Sequence, residues 1–428
     1  MIHVHQCFNA VGHGTFFSGL VQDDRQPTRS FSWVYDCGSK RTTRIDAEIA
    51  DLEAWTAWPE RIDLFVLSHF DDDHVNGVER FLQERSVDVL ALPYLDVAQR
   101  LMHAAALADE ASSASTALFQ LDPVQWLSAK GLSGRVGSIV FVRGGQRQDG
   151  DPPVDVDPRP LVGLPRLDGS EQASAADDPD VDFRLDYFAA KGPEGTSKLQ
   201  LMLWRHVMPA AHALFPVELM FFNSEQPDLF RRDISGNRVA RRSGMPLPAL
   251  QSEIRSVMQR FGLSDLSRSP RQKWRDALRA TYGKHFGSTS QHRNNISLCL
   301  LVRPLAHEVC RCRIFHDRMA RRIPVSGRAG LLCLGDLRIN KEVLSAMWTH
   351  FGAARWNTIA GVQVPHHGSR HSWEAGCASA FAPDWFVHCV PDRSAHHPHE
   401  SVNADLFGYP VLRATYRRRV AIDYHFPP

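Results

Sequence analysis

The sequence predicts an α/β fold, because strand-like and helix-like segments alternate along much of the chain. Residues 2–37 are rich in aromatic and β-branched residues between Gly and polar turns, which favours a β-hairpin. Two apolar runs at 62–69 and 87–94 are typical of buried strands. Apolar residues at helical spacing precede and separate these runs, at 44–58 and 75–86. Such alternation is typical of layered α/β proteins.

The alternation lapses in the middle of the chain and returns after residue 295. We therefore expect a first half at 1–95, a second half at 291–428 and an insertion between them at 96–290. The insertion combines an Ala-rich helical stretch, strand-like runs, basic helices and an acidic loop at 145–182. That loop holds ten Asp/Glu and six Pro residues, a composition typical of a mobile segment.

Composition excludes few functions. The chain of 428 residues has a net charge of +1 and no run of about 18 apolar residues, so no membrane span is expected. No secretory pattern opens the sequence, and we expect a cytoplasmic protein. The eight cysteines form no C-x-x-C pair and are interpreted as reduced core thiols, with Cys310 and Cys312 the best candidates for a zinc–cysteine site.

The densest group of ionisable side chains follows the apolar run at 62–67 directly. It comprises His69, Asp71, Asp72, Asp73 and His74. Adjacent carboxylates repel one another unless a positive charge lies among them. Alternate residues leaving a strand end can converge on one point, and imidazole together with carboxylate suits zinc, manganese or iron. This segment therefore predicts a metal site.

Further polar residues follow other apolar strands. Asp36 ends the run "YDCG", Asp336 ends "LLCLGD", and His366 and His367 follow "VQVP". The sequence "HHPHE" at 396–400 comes after the last of these strands. Ligands of open α/β sheets bind at the carboxyl ends of strands. Taken singly, each motif is also compatible with a turn or a surface loop.

The order of these motifs resembles the metallo-β-lactamase fold superfamily. Within it, the chain is most similar to the metallo-β-lactamase-like domain of the bacterial DNA-uptake competence proteins (ComEC-like). The motifs are "VGHGT" at 11–15, "DCG" at 36–38, "SHFDDDHVNG" at 68–77, "NNISLCL" at 294–300, "LLCLGD" at 331–336, "VQVPHHGS" at 362–369 and "HHPHE" at 396–400. His13, Thr15 and Asn76 depart from the family's pattern. The resemblance implies an αββα sandwich interrupted by the long insertion.

The resemblance also implies a site with two divalent metal ions, zinc or manganese. The first ion would be held by His69, Asp71 and Asp336, and the second by Asp73, His74, Asp336 and His397. Asp72 faces away in the alternation and is not expected to be a ligand. The family's third metal histidine has no clear counterpart, and His206 and His292 are weak candidates.

The surrounding residues receive supporting roles in the same scheme. Asp36 would orient a ligand histidine, and Ser369 would donate a hydrogen bond. The catalytic residues would be Asp73, His366 and His367, the two histidines donating a proton to the leaving group or holding a phosphate oxygen. His13 is interpreted only as lining the first hairpin.

The function implied by the resemblance is cleavage of a phosphodiester by a hydroxide that bridges the two metal ions. A nucleic acid or nucleotide substrate agrees with the twelve Lys/Arg against four Asp/Glu between Arg231 and Arg279, although solvated helix faces explain that excess equally well. Hydrolysis of a small ester, thioester, lactam or cyclic nucleotide stays open as an alternative. So does a metal-stabilised binding protein that uses the insertion as a partner surface.

Overall fold

The structure is a computed structural model. It describes residues 1–54, 58–106, 113–142, 144, 200–204, 207–210, 217–224, 229–264, 273–287, 296–305, 310–316, 319–321, 328–394 and 396–426. His206 and His292, the two weak candidates for a further metal ligand, lie outside these ranges. The side chains of Cys310 and Cys312 are likewise outside the described part, although both residues belong to a strand.

The strands are β1 (Ile2–Phe8), β2 (Phe17–Asp23), β3 (Gln26–Tyr35), β4 (Arg61–Val66), β5 (Ser86–Pro93), β6 (Val136–Val142), β7 (Gln200–Trp204), β8 (Val207–Ala210), β9 (Val217–Phe222), β10 (Phe230–Arg232), β11 (Arg238–Ala240), β12 (Cys299–Pro304), β13 (Cys310–His316), β14 (Met319–Arg321), β15 (Gly330–Cys333), β16 (Ile359–Gln363), β17 (Trp385–Cys389), β18 (Val411–Ala414) and β19 (Val420–Phe426). The α-helices are α1 (Thr42–Ala54), α2 (Asp72–Val75), α3 (Val78–Glu84), α4 (Val97–Ala106), α5 (Ala114–Leu121), α6 (Pro123–Ala129), α7 (Leu247–Phe261), α8 (Trp274–Phe286), α9 (Lys341–Trp356), α10 (Cys377–Phe381) and α11 (Glu400–Asp405).

Most of the described strands belong to two large sheets. The first sheet has ten strands in the order β14-β13-β19-β1-β2-β3-β4-β5-β6-β7. Its strands from β14 to β3 are antiparallel, whereas β3 to β7 are parallel. The second sheet has seven strands in the order β18-β17-β16-β15-β12-β9-β8, and β15 to β18 are parallel. Each sheet therefore has a parallel part whose carboxyl ends share one edge.

A common apolar core lies between the two sheets. Successive side chains of a strand point to opposite faces, so β4 divides its residues between two cores. Leu64 and Val66 pack between the sheets with Phe221 of β9 and Leu331 of β15, while Phe65 faces the helices on the outer side of the first sheet. The sheets are thus held face to face by buried apolar surface, the main favourable term in folding.

Helices cover both outer faces. On the first sheet, α1, α3, α4, α5, α7 and α8 bury residues such as Ile49, Phe81 and Leu101. On the second sheet, α9, α10 and α11 bury residues such as Met347 and Phe381. The layers follow one another as helices, sheet, sheet and helices, and the prediction of an α/β fold is confirmed. None of the described helices has the length and apolarity needed to cross a membrane.

The described part of segment 96–290 contributes to both sheets. Strands β6 and β7 extend the parallel part of the first sheet, and β8 and β9 extend the second. Its helices α4 to α8 supply much of the outer core of the first sheet. The segment thus forms edges of both sheets although its strand-like and helix-like patterns do not alternate regularly. Strands pair through their backbones and need not be close together in the sequence.

A buried ion pair ties this segment to the last third of the chain. Glu218 of β9 accepts hydrogen bonds from Nε and Nη2 of Arg355 on α9, at 3.0 and 3.1 Å, and another from Arg303 of β12. Burial of the carboxyl opposes its ionisation, but the hydrogen bonds from Arg355 and the charge of Arg303 outweigh burial and lower the pKa of Glu218. These three residues join two strands of the second sheet to a helix on its outer face.

Glu218→Ala is expected to lower the free energy of unfolding by about 3–5 kcal/mol, because two largely buried guanidinium groups lose their counter-charge. The matched control is Glu374→Ala, which removes an exposed carboxylate and should change stability by no more than about 0.5 kcal/mol. Chemical denaturation followed by circular dichroism measures both. Equal stability of the two variants would contradict this assignment.

Candidate metal centre

The carboxyl ends of the parallel strands in both sheets meet at one place. The amide N–H of Leu298, just before β12, donates to the carbonyl of Ser68 after β4 at 2.7 Å. The side-chain amide of Gln363 on β16 donates to the hydroxyl of Thr15 before β2 at 3.1 Å. These contacts bring the polar residues that follow β3, β4, β15 and β16 to a single edge.

The first cluster at this edge consists of His69, His74 and Asp336, all buried. Nε2 of His69 lies 3.6 Å from Oδ2 of Asp336, and Nε2 of His74 lies 3.2 Å from Oδ1. Asp71 and His366 adjoin the cluster, since Oδ2 of Asp71 is 3.8 Å from Nε2 of His69 and Nε2 of His366 is 3.6 Å from Oδ2 of Asp336. Three imidazoles thus lie within 3.6 Å of the Asp336 carboxylate, and the carboxylate of Asp71 adjoins one of them.

The second cluster consists of His13, Asp73 and His367. Oδ2 of Asp73 lies 3.5 Å from Nε2 of His13 and 3.2 Å from Nε2 of His367. The rings of His367 and His74 are 5.8 Å apart, so the two clusters are neighbours. His13 was interpreted from sequence only as a hairpin residue, and the structure places it at the site. Its position in the first resemblance motif, where the family has Gln, was the available signal.

Buried partners fix the ring orientation of the first two histidines. The carboxylate of Asp36 lies 2.7 Å from Nδ1 of His74 and accepts from both the backbone N–H and the hydroxyl of Ser68 at 2.7 Å. The Ser68 hydroxyl, having donated to Asp36, accepts from Nδ1 of His69 at 2.8 Å. With Nδ1 held by these partners in both rings, Nε2 of each ring faces Asp336 and is the atom that can bind a metal ion, the arrangement found for metal-bound histidines.

The two histidines after β16 are held in the same manner. Nδ1 of His367 lies 2.7 Å from the carbonyl oxygen of Cys389, which can only accept, so Nδ1 carries the proton. Nδ1 of His366 lies 2.9 Å from the hydroxyl of Ser372. Both histidines have φ near +50°, a left-handed conformation that non-glycine residues rarely adopt, and Asp36 has φ +56°. Such strain concentrates at functional sites.

The donor atoms of the first cluster fit a metal ion. Nε2 of His69, Nε2 of His74 and Oδ1 of Asp336 are buried and make no hydrogen bond. Buried polar atoms are normally satisfied, so three such atoms facing one another indicate a missing partner. Imidazole nitrogen together with carboxylate oxygen suits zinc, manganese or iron. Among the described residues, both clusters could hold a metal ion.

Electrostatics keep most of these groups in the form that binds metals. Burial would raise the pKa of Asp336, but the charges of His366 and His74 hold that pKa well below its ordinary value. Burial, reinforced by the charge of His74, lowers the pKa of His69 to about 4, and burial lowers that of His13 to about 3. Ionised carboxylates and neutral imidazoles are the ligand forms that a divalent cation requires.

His74 behaves differently from its neighbours. Burial favours its neutral form, yet the carboxylates of Asp336 and Asp36 raise the pKa of His74 well above its ordinary value. A positive charge at this position is therefore favoured by the surrounding carboxylates. Either a proton on Nε2 of His74 or a metal ion beside that atom would supply this positive charge.

The remaining predicted residues lie at the margin of the clusters. The ring of His397 is 5.7 Å from that of His13 and 6.3 Å from that of His366, so His397 adjoins the site without belonging to either cluster. Its role as a metal ligand stays a prediction, as does that of Asp71. The backbone N–H of Ser369 donates to the carbonyl of His366 at 2.9 Å, which closes the turn that carries the histidines.

Asp72 points to another layer of the molecule. Its Oδ1 accepts a hydrogen bond from the hydroxyl of Thr116, on α5, at 2.5 Å. The neighbouring Asp73, on the same short helix α2, is directed at His367. Two adjacent carboxylates of one segment are therefore placed in different surroundings.

Comparison with known proteins adds little to this geometry. The chain is similar to the crystal structure of unliganded yeast PDE1 with a TM-score of 0.33 and 8% sequence identity, covering 98% of this chain and 99% of that chain. A score this low carries no argument about fold or activity. No protein-family profile matches the sequence, and no curated protein matches it.

Close backbone packing positions the second cluster. A Cβ on Gly38 would lie 2.4 Å from the carbonyl carbon of Asp73 and 2.4 Å from the backbone nitrogen of His74. Neither atom can turn away as a flexible side chain would. The loop after β3 can thus approach the segment that carries these two residues only because position 38 has no side chain.

Gly38→Ala is expected to weaken zinc binding by about 10- to 100-fold, because the added methyl group displaces Asp73 and His74 without removing a ligand. The control is Gly134→Ala, since a Cβ there meets no atom within 4 Å. Isothermal titration with Zn²⁺ and circular dichroism spectra of both variants provide the test. If the correctly folded Gly38→Ala protein bound zinc as tightly as the control, this account of the site would be wrong.

Proposed function

We propose that this protein is a metallo-β-lactamase-fold hydrolase that cleaves phosphodiester bonds with two divalent metal ions, zinc or manganese. The observation that carries the proposal is the pair of neighbouring His/Asp clusters at the edge where parallel strands of both sheets end. Each cluster combines imidazole and carboxylate, and each is largely buried. A structural role alone would not require two such clusters side by side.

The layer order supports the fold assignment. Helices, a mixed sheet, a second mixed sheet and helices follow one another, and the candidate site lies at one common edge of the sheets. The seven sequence motifs that resemble the ComEC-like domain supply the residues of this edge. In this assignment, segment 96–290 has no counterpart in the family, and its strands β6 to β9 lie at the margins of the two sheets.

The metal ligands can be assigned by combining the resemblance with the geometry. The first ion would be held by His69, Asp71, Asp336 and His366. The second ion would be held by Asp73, His74, Asp336 and His367, with His13 and His397 beside it. Two divalent ions so placed would lower the pKa of a bound water and stabilise negative charge on the attacking and leaving oxygens.

His366 and His367 receive a role different from the one that the sequence suggested. Each ring has its Nδ1 held by a neighbour, and each Nε2 faces the carboxylate of a cluster at 3.6 and 3.2 Å. Groups held in this way are suited to bind a cation rather than to move a proton to a leaving group. Asp36 and Ser68 orient the rings of His74 and His69 through hydrogen bonds with their Nδ1 atoms.

A phosphodiester is favoured over a neutral substrate by the charge at the site. Asp71 places a hard oxygen where a histidine would be the other choice of the family motif, and this suits ions that bind phosphoryl oxygen. The exposed Lys40 lies close enough for its charge to lower the pKa of both His13 and His397. A cation at the rim attracts an anionic substrate.

Asp73→Asn is expected to reduce phosphodiester cleavage at least 100-fold and to lower the bound metal content, because the amide is a weak ligand. Asp72→Asn is the matched control: it changes the adjacent carboxylate identically, can still accept from Thr116, and should leave cleavage and metal content unchanged. Metal analysis and cleavage of single- and double-stranded DNA, RNA and cyclic dinucleotides provide the measurements.

Removal of the metal separates this proposal from its alternatives. Chelation should abolish cleavage and lower the thermal unfolding midpoint, and added zinc or manganese should restore both. A metal-loaded protein that cleaves no phosphodiester would sink the proposal. Turnover of a small ester, thioester or lactam would then favour a different hydrolase, and the absence of any turnover a metal-stabilised binding protein.

A further inference from the structure

A cavity of about 610 Å³ opens beside the metal centre. Its lining includes His397, whose ring also contacts the rings of His13 and His366. The same loop that carries the clustered histidines continues into the cavity wall at Ser369 and Arg370. The volume is in the range of small-ligand sites, and His397 and Ser369 connect the cavity to the turn that carries His366 and His367.

Arg370 is the one arginine or lysine among the described residues that line this cavity. Its Nε donates to Nε2 of His371 at 3.3 Å, which directs the guanidinium without neutralising it. Among the described residues, Arg370 forms no ion pair with a carboxylate. Its terminal nitrogens can therefore receive an anion, and a guanidinium fork matches the paired oxygens of a phosphate.

Other lining residues, in the segment 399–403, offer both donors and acceptors. Nδ1 of His399 accepts from the backbone N–H of Ser401 at 3.2 Å, so the proton of the neutral ring is on Nε2. The side-chain amide of Asn403 donates to the carbonyl of Pro398 at 3.5 Å, which leaves its Oδ1 to accept. Glu400 adds a further acceptor. Acceptors of this kind suit sugar hydroxyl or base amino groups.

We propose that this cavity binds the nucleotide next to the scissile phosphodiester, with the flanking phosphate on Arg370. The inference rests on the proposed function and deepens it. A substrate that places one phosphate at the metal centre and another on Arg370 carries two phosphates close together, as an oligonucleotide or polynucleotide does. A cyclic mononucleotide or a simple ester lacks that group, so Arg370 would determine the substrate class.

The test compares dinucleotides that differ only in the flanking phosphate. The metal-loaded wild type should cleave either pTpT or TpTp, or the corresponding uridine compounds, with a higher kcat/KM than the dinucleotide without a terminal phosphate. Arg370→Gln should reduce that preference at least about tenfold, because a charge-assisted phosphate contact is lost. The control is Arg25→Gln, which removes a cation from the turn between β2 and β3, at the end of these two strands away from the metal centre. This variant should keep the full preference.

Three results would overturn the inference: no preference in the wild type, an unchanged preference in Arg370→Gln, or an equal loss in the control. If the wild type cleaves no phosphodiester, the proposed function fails separately. The cavity is then tested by equilibrium binding of fluorescently labelled pTpT and TpTp to the metal-loaded chain. Binding of either at least tenfold tighter to the wild type than to Arg370→Gln supports the phosphate subsite, and equal affinity of both excludes it.

Discussion

The buried carboxylate of Asp336 is the constraint on which this structure depends. It lies at the meeting point of both sheets, with imidazole nitrogens of His69, His74 and His366 within 3.6 Å. An ionised carboxylate inside a protein is costly unless a positive charge compensates it. The raised pKa of His74 and the lowered pKa of Asp336 both show that carboxylate and positive charge stabilise each other here. A divalent cation would supply more positive charge at this position than a single proton does.

The two-sheet scaffold makes this arrangement possible. A single parallel sheet presents the ends of its strands along one line, whereas two sheets packed face to face bring strand ends together from opposite sides. Asp73 and His74 come from the first sheet, and Asp336, His366 and His367 come from the second. The apolar core between the sheets fixes their separation, so it also fixes the distances between the clustered side chains. Positioning at the site is therefore a consequence of core packing.

The strained turns near the site follow from the same geometry. Asp36, His366 and His367 all adopt positive φ within four residues of the end of a strand. Reversal of the chain at the strand end turns their side chains back toward the centre, and hydrogen bonds with Ser68, Ser372 and the Cys389 carbonyl hold them there. Stability stored in the sheets compensates the local strain.

Much of the fold was predictable from local patterns. The apolar runs at 62–69 and 87–94 predicted strands, and the structure has β4 and β5 there, because a strand buried on both faces is apolar over most of its length. The helix near 44–58 was expected from its spacing and α1 lies there, and the basic helices expected in segment 96–290 correspond to α7 and α8. Strands β6, β13 and β18 were not predicted. Pairing with a distant strand stabilises them, and their own sequence does not reveal that partner.

The sequence by itself determined that carboxylates and imidazoles follow buried strands, since an apolar run and the polar residues after it are adjacent in the chain. That local feature was sufficient to predict a metal-binding segment at 69–74. Only the tertiary structure decided which residues share the site. It brought His13 to Asp73, placed His366 beside Asp336 and His367 beside Asp73, turned Asp72 toward Thr116 and opened the cavity at Arg370. These contacts join residues that are tens to hundreds of positions apart, and their distances are set by sheet packing, which no local pattern encodes.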